Sequence, residues 1–370
     1  MHDSATHSGH KTPANGSSPH LPAGQPVEPD GRQGQPPEEV RQEGAAVSLA
    51  PEWERVCKLA IKQLDRCVSL EPKVLHGDDP DAIHDLRVAT RRLQQVLDLL
   101  FPAPHSGEIR KLRRRLRRCR RSLSEVRNYD VLLDRVNAAL ARKRTARRAA
   151  WESISGYLKE SRSTGLDKAL RKLTRANLPA LYVRLKECLP VEGNPLLAAG
   201  GNSHHLCAGQ DLTAEQFYAR ISEGLKAVWG AFEQEVVQSR RDSDPAVLHR
   251  TRIAAKRVRY LIEVVNAFEV PGSKEALVWL RSLQRQLGNW HDLVVFEEAV
   301  IGMIAAPTFL RDRLELAMDV ERLILRNRAL KAKLEKKYRE MTTDRTGFFK
   351  TKGWVRRVVE SPAALFAESG

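Results

Sequence analysis

The chain has 370 residues, enough for two ordinary domains or one repeated unit with a tail, and 42% of them are apolar. Its 62 Lys and Arg against 46 Asp and Glu leave a formal net charge of +16. Residues 1–50 hold three basic and six acidic residues, so the other 320 hold 59 basic and 40 acidic residues, a net of +19. A body this basic attracts anions over roughly a Debye length, about 8–10 Å at cellular salt, and charge alone does not choose among nucleic acid, membrane surface and polyphosphate.

The five cysteines (Cys57, Cys67, Cys119, Cys188 and Cys207) show no CxxC or zinc-type spacing, which argues against a disulfide framework and for a reducing compartment. No basic-then-apolar leader opens the sequence, and no run approaches the ~18 apolar residues of a spanning helix. A cytoplasmic protein is expected.

In chain order, residues 1–48 are rich in Pro, Gly, Ser, Gln and His and poor in large apolar residues. Such a segment buries too little surface to offset its ordering entropy, and a disordered tail is predicted. From Pro51 onward the apolar residues recur at helical spacing, with breaks near Asp78–Pro80, Phe101–Gly107 and Gly165. These residues, 49–189, form a first helical bundle. A low-complexity stretch, 190–211, reads as a flexible linker. Helical patterning returns over 212–344 as a second bundle, and 345–370 is a C-terminal tail. No alternating strand pattern stands out, so the fold class is all-α.

The two halves resemble each other. HDLRVATRRLQQVLDLL from His84 parallels HRTRIAAKRVRYLIEVV from His249, an offset of 165. SLSEVRNYDVLL from Ser122 parallels QLGNWHDLVVFE from Gln286, an offset of 164. Two collinear matches at nearly one offset point to a duplicated helical unit.

The repeats also fix where charge falls. At about 100° per residue, His84, Arg87 and Arg91 share a sector of about 60°. Leu86, Ala89, Leu93, Val96, Leu97 and Leu100 occupy the opposite face. In the second copy His249, Arg252, Lys256, Arg259 and Tyr260 make one stripe, and Ala254, Val258, Leu261, Ile262 and Val265 the other. A solvated basic face is the bland reading. Against it stand the scarcity of acidic i±3 or i±4 partners, the preference for Arg, whose planar fork suits phosphate, and the recurrence of the stripe. Residues 109–123 extend the pattern, with Leu112, Leu116, Cys119 and Leu123 inward and Arg110, Arg114, Arg117 and Arg121 outward. The offset carries these positions to Lys274, Val278, Arg281 and Arg285. Arg113, Arg115, Arg118 and Arg120 have no such support and read as solvated or steering residues.

These residues resemble a known family. HxxRVATRR at 84, HxxRIAAKRVRY at 249 and LQRQLGNWHD at 283–292 are similar to the CHAD family of histidine-containing α-helical domains, over roughly residues 50–340. The resemblance implies two pseudo-two-fold-related helical bundles, a basic central channel, and inorganic polyphosphate as ligand at polyphosphate granules. Carried over by position, the binding residues are His84, Arg87, Arg91, Arg92 and Arg127, with His249, Arg252, Lys256, Arg257, Arg259 and Tyr260 in the second half. The family's LGxxRDxDV loop here has Ser124 for its glycine and Asn128 for its first aspartate, whereas the second half keeps Gly288 and Asp292. The acidic ExExK strand of a CYTH-type triphosphate-tunnel domain, fused to some relatives, is not found, so a stand-alone binding module is expected.

Other groups weigh less. His84 and His249 each stand among cations and lack a second ligand at i±4, which disfavours metal; no cofactor is expected. His204 and His205 fall in the linker. Asp130 and Asp292 read as helix-start residues that cap or orient arginines. No Ser–His–Asp order, phosphate-cradling glycine loop or HExxH appears, and a non-enzymatic binder is the expectation. A nucleic-acid binder and a metal-dependent phosphohydrolase are the alternatives; aromatic residues at 6% offer the former few stacking platforms. The run 331–339 reads as a solvated helix face. The segment 347–359 mixes aromatics with cations and is expected to touch a membrane or partner, or to pack back onto the bundle.

Overall fold

Helix starts and stops follow the punctuation of the sequence except at Gly165, which lies buried inside an uninterrupted helix, Arg148–Ala176, instead of breaking it. The computed structural model describes residues 50–77, 79–103, 106–189, 213–242, 244–306, 309 and 313–367, and within these the secondary structure is helical. The predicted disordered tail and the 190–211 linker, with His204, His205 and Cys207, lie outside the described residues. The first half contains α1 (Pro51–His76), α2 (Pro80–Leu100), α3 (Gly107–Ser122), α4 (Ser124–Leu140), α5 (Arg148–Ala176) and α6 (Leu178–Cys188). The second contains α7 (Ala214–Arg241), α8 (Pro245–Asn266), α9 (Ser273–Ile304) and α10 (Leu314–Thr343), followed by α11 (Lys350–Glu360) and α12 (Pro362–Ala367).

The two helices that carry the basic stripes start alike. Pro80 and Pro245 hold the first turn of α2 and α8, where a missing N–H costs nothing. Asp79 accepts hydrogen bonds from the N–H of Asp81 and Ala82, and Asp244 from that of Ala246. The pair Asp79-Pro80 and Asp244-Pro245 again stands 165 residues apart.

Helices pack mainly within their own half: α1 on α2 and α4 on α5 in the first, α7 on α8 and α9 on α10 in the second. The apolar core nevertheless crosses the boundary. One cluster joins α1, α2 and α3 to α7, α8 and the start of α9; the other joins α4 and α5 to the end of α9 and α10. The described residues accordingly form one compact unit. The predicted inward residues of all three stripes are buried, Leu86, Leu93, Val258 and Ile262 completely. Cys57, Cys67, Cys119 and Cys188 are buried, and burial pushes the Cys119 thiol up to about 12, so it behaves as a small hydrophobe.

The segment after α10 packs back onto the second half. Phe348 is buried against Trp229, Phe232 and Trp279. Trp354 Nε1–H donates to the Pro271 carbonyl at 2.7 Å. Two glycines permit this approach: a Cβ at Gly347 would lie 2.4 Å from Trp279 Nε1, and one at Gly272 (φ +80°) 2.6 Å from Trp354 Cδ1.

Candidate anion-binding site

The helices α2 and α8 pack against each other with their basic stripes inward. Arg91 Nη1–H donates to the Tyr260 hydroxyl at 3.0 Å, and the guanidinium of Arg259 lies over the same ring, 4.7 Å from its centre. Tyr260 is therefore a buried post between cations of the two halves. Glu263 ties the rim, accepting from Arg92 Nε at 3.1 Å and pairing with Arg259 at 3.7 Å.

Behind this contact the cations crowd one another. Arg87 sends Nη1 to the Arg120 carbonyl at 3.0 Å and to Ser124 Oγ at 2.6 Å. Ser124 Oγ itself donates to that same carbonyl at 3.1 Å, the i−4 back-bonding that bends helices. The chain breaks there, with α3 ending at Ser122 and α4 starting at Ser124. Arg120 in turn donates to Gln94 Oε1 at 2.9 Å. Burial, then Arg91, Arg120 and Arg127, pushes Arg87 down to about 10, which leaves it charged at neutral pH.

The second half behaves otherwise. Lys256 is half-buried with Arg252, Arg91, Arg87 and Arg259 around it; burial and these charges push it down to about 6. His249 and His291 lie side by side, their rings tilted by 49° with centres 5.0 Å apart. Burial first, and Arg252 and Lys256 next, lower the pKa of His249, while burial with Arg252, His249 and Lys256 drives His291 down to about 3. His84 is lowered too, by burial and by Arg127. Each shift favours the neutral form of its group. Asp292 faces Arg252, Lys256, Arg127 and Arg135, yet burial outweighs them and raises its pKa. Arg252 Nε is buried without an acceptor. A cluster of desolvated cations with so little counter-charge is unfavourable until an anion enters.

Three comparisons bear on this arrangement. The CHAD domain family model matches residues 58–300, about two thirds of the chain. The chain belongs to the CHAD domain family. Two uncharacterized proteins of Mycobacterium tuberculosis, from strains CDC 1551 / Oshkosh and H37Rv, are each 28% identical over 244 residues, covering 64% of this chain and 43% of theirs. The chain thus spans less than half the length of the curated relatives it matches. Among solved structures, the CHAD domain of the plant Ricinus communis superposes with a TM-score of 0.57 at 21% identity, over 81% of this chain and 94% of that one. PptA from Streptomyces chartreusis gives 0.51 at 14% identity, over 80% and 100%. Both likenesses show the fold.

Within this CHAD domain the predicted residues divide into two groups. His84, Arg87, Arg91, Arg127, His249, Arg252, Lys256, Arg259 and Tyr260 converge on the α2–α8 seam. Arg92 and Arg257 are exposed, Arg92 at the rim on Glu263. Arg117 and Arg121 are exposed but near enough to depress Arg120. Arg110, Arg114, Lys274, Arg281 and Arg285 are exposed along α3 and α9.

Several expectations need correcting. Arg120 belongs to the cluster, although it lies about 80° round α3 from the predicted stripe; helix crossing selected it, and a one-helix projection misses that. Asp292 sits inside α9 and Asp130 inside α4, so neither is at a helix start; Asp130 is buried and accepts from Arg162 Nε at 2.6 Å. Glu263 is one of the few acidic i±4 partners the stripes have, pairing with Arg259. His249 does gain a histidine neighbour, though from another helix, and no trio of metal-binding side chains forms among the described residues. His291 was missed, yet the 164-residue offset from Arg127 points straight at it. In the run 331–339, Lys331 pairs with Glu297 at 2.5 Å and Tyr338 is buried.

Proposed function

We propose that the protein binds inorganic polyphosphate without transforming it, along the seam between α2 and α8, and that it does so at polyphosphate granules in the cytoplasm. The observation that carries this reading is the crowding of Arg87, Arg91, Arg252 and Lys256 from both halves around one line, with Asp292 within the cluster and Glu263 at its rim for counter-charge. A linear polymer of phosphates meets guanidinium forks, an ammonium and imidazoles in succession and relieves their mutual repulsion. Membership of a polyphosphate-related family supports the same ligand. The seam supplies cations and donors in place of base-stacking platforms: its aromatic ring, Tyr260, is buried between Arg91 and Arg259. Its carboxylates, Asp292 and Glu263, face cations and not each other, which favours holding phosphate over transferring it. The basic channel that the family resemblance implies is taken to be this seam.

The test is a titration of the full chain with long-chain polyphosphate at near-physiological salt, with duplex DNA as competitor. Arg87→Ala combined with Arg252→Ala removes one charged fork from each half. At about 1.5–3 kcal/mol per charged hydrogen-bonding group, the expected loss is roughly a hundredfold or more in affinity. Binding retained by the double variant, or displaced by equimolar DNA phosphate, refutes the proposal. Phosphate release during incubation with Mg²⁺ or Mn²⁺ would replace it with the phosphohydrolase.

A further inference from the structure

A second cavity lies beside the seam, between α4, α5, α9 and α10, with a volume of about 500 Å³, which suits a small molecule. One side is cationic: Arg135, Arg142, Arg144 and Arg326 line it, with no carboxylate among its lining residues. Arg142, Arg144 and Arg326 are exposed and make no ion pair among the described residues. Arg135 is half-buried; its guanidinium stacks 5.3 Å from the Phe296 ring centre and reaches Asn327 Oδ1 at 3.4 Å, and its Nε is buried with no acceptor. The other side is apolar and contains Trp151, half-buried and tilted onto Phe296 at 5.8 Å, and the exposed Leu330.

The two sides ask for different chemistry. Four guanidinium groups call for an anion of two or three negative charges that can accept several forked hydrogen bonds. An inorganic phosphate chain makes no use of an indole and a leucine, whereas a flat ring does, by stacking on Trp151 and covering Leu330. We propose that this cavity is a separate binding site for a nucleotide, with the phosphates on Arg135, Arg142, Arg144 and Arg326 and the ring on Trp151. Arg135 also borders a smaller cleft that reaches Asp292, so the site adjoins the seam without sharing its stripe residues. The inference stands whether or not the seam binds polyphosphate.

The probes are ATP and inorganic tripolyphosphate, titrated calorimetrically into the full chain without metal. ATP is expected to bind once per chain and at least tenfold more tightly than tripolyphosphate. Arg144→Ala with Arg326→Ala, both exposed positions, weakens ATP at least tenfold while long-chain polyphosphate binding at the seam is unchanged. Trp151→Phe keeps the packing on Phe296 and loses the ATP-induced quench of tryptophan fluorescence; circular dichroism confirms the fold of each variant. Tripolyphosphate as tight as ATP overturns the ring assignment and makes the cavity a stop for linear phosphate. ATP binding that the double variant keeps, or no saturable ATP binding, overturns the site.

Discussion

Arg87 on α2 and Arg252 on α8 occupy matching places in the repeat, yet the groups around them differ. Arg87 rests on neutral acceptors, the Arg120 carbonyl and Ser124 Oγ, and is followed along its stripe by another arginine, Arg91. Arg252 has the carboxyl of Asp292 nearby, and is followed by Lys256 with His249 and His291 beside it. Burial lowers cations in both halves, but an arginine starts so high that it stays charged, while a lysine or histidine does not. His84 apart, the first half is thus a set of fixed charges, whereas Lys256, His249 and His291 make the second a set that titrates. Duplication preserved where the side chains point, and substitution within the stripe changed when they are charged.

Exchanging residues between halves breaks this contrast one feature at a time. The largest effect is expected from Asp292→Asn, which gives the second half the asparagine found at the matching position, Asn128. Arg252 and Lys256 lose a nearby carboxyl that acts on them through space, and stability in denaturant titrations without ligand is expected to fall by about 2 kcal/mol. Polyphosphate affinity is expected to rise, because the ligand no longer competes with an internal anion. Unchanged stability would show that Asp292 is not the counter-charge.

Lys256→Arg comes next, since it copies Arg91 into the second half. A free lysine titrates near 10.5 and folded Lys256 near 6. Between those values the unfolded chain holds one more proton, so this group makes stability rise with pH across the window and adds no slope below about 6. A polyanion raises the pKa of Lys256 and of the histidines, so binding takes up protons and tightens as pH falls from 8 to 6. Lys256→Arg should flatten both trends and strengthen polyphosphate binding at pH 8 by about tenfold. Calorimetry in buffers of different ionisation enthalpy reads the proton count directly. An equal count in the variant would remove Lys256 from the switch.

Ser124→Gly makes the α3–α4 junction resemble Gly288, through which α9 runs unbroken. Arg87 loses one acceptor, and a cost of about 1 kcal/mol is expected in thermal unfolding, with affinity reduced by threefold or so. The smallest effect is reserved for Arg114→Ala with Arg281→Ala, exposed positions of the predicted outer stripe. Loss of steering charge should slow association at low salt, measurable by stopped flow, and leave dissociation unchanged. A larger effect here than at Ser124 would place the ligand outside the seam.

Much of this was legible in the chain itself. Helical periodicity located the buried faces of α2, α3 and α8, because a helix repeats its own geometry every turn and needs no neighbour to do so. The 165-residue offset exposed the repeat and with it the matching stripes, and the motifs at His84 and His249 pointed to the family that the comparisons show. What periodicity could not supply was the crossing of helices. Arg120 and Arg113 sit on the same side of α3; one enters the seam while the other pairs with Asp98. His291 and Asp292 carry no stripe pattern of their own and gain meaning from the helix they face. The Trp151 cavity draws its residues from four helices spread over some two hundred positions, a conjunction that no local window contains. Spacing along one helix is set by backbone hydrogen bonds and is written locally. Which face meets which, and therefore which cations lose their water and their charge, is set by packing between distant segments, and only the tertiary structure decided it.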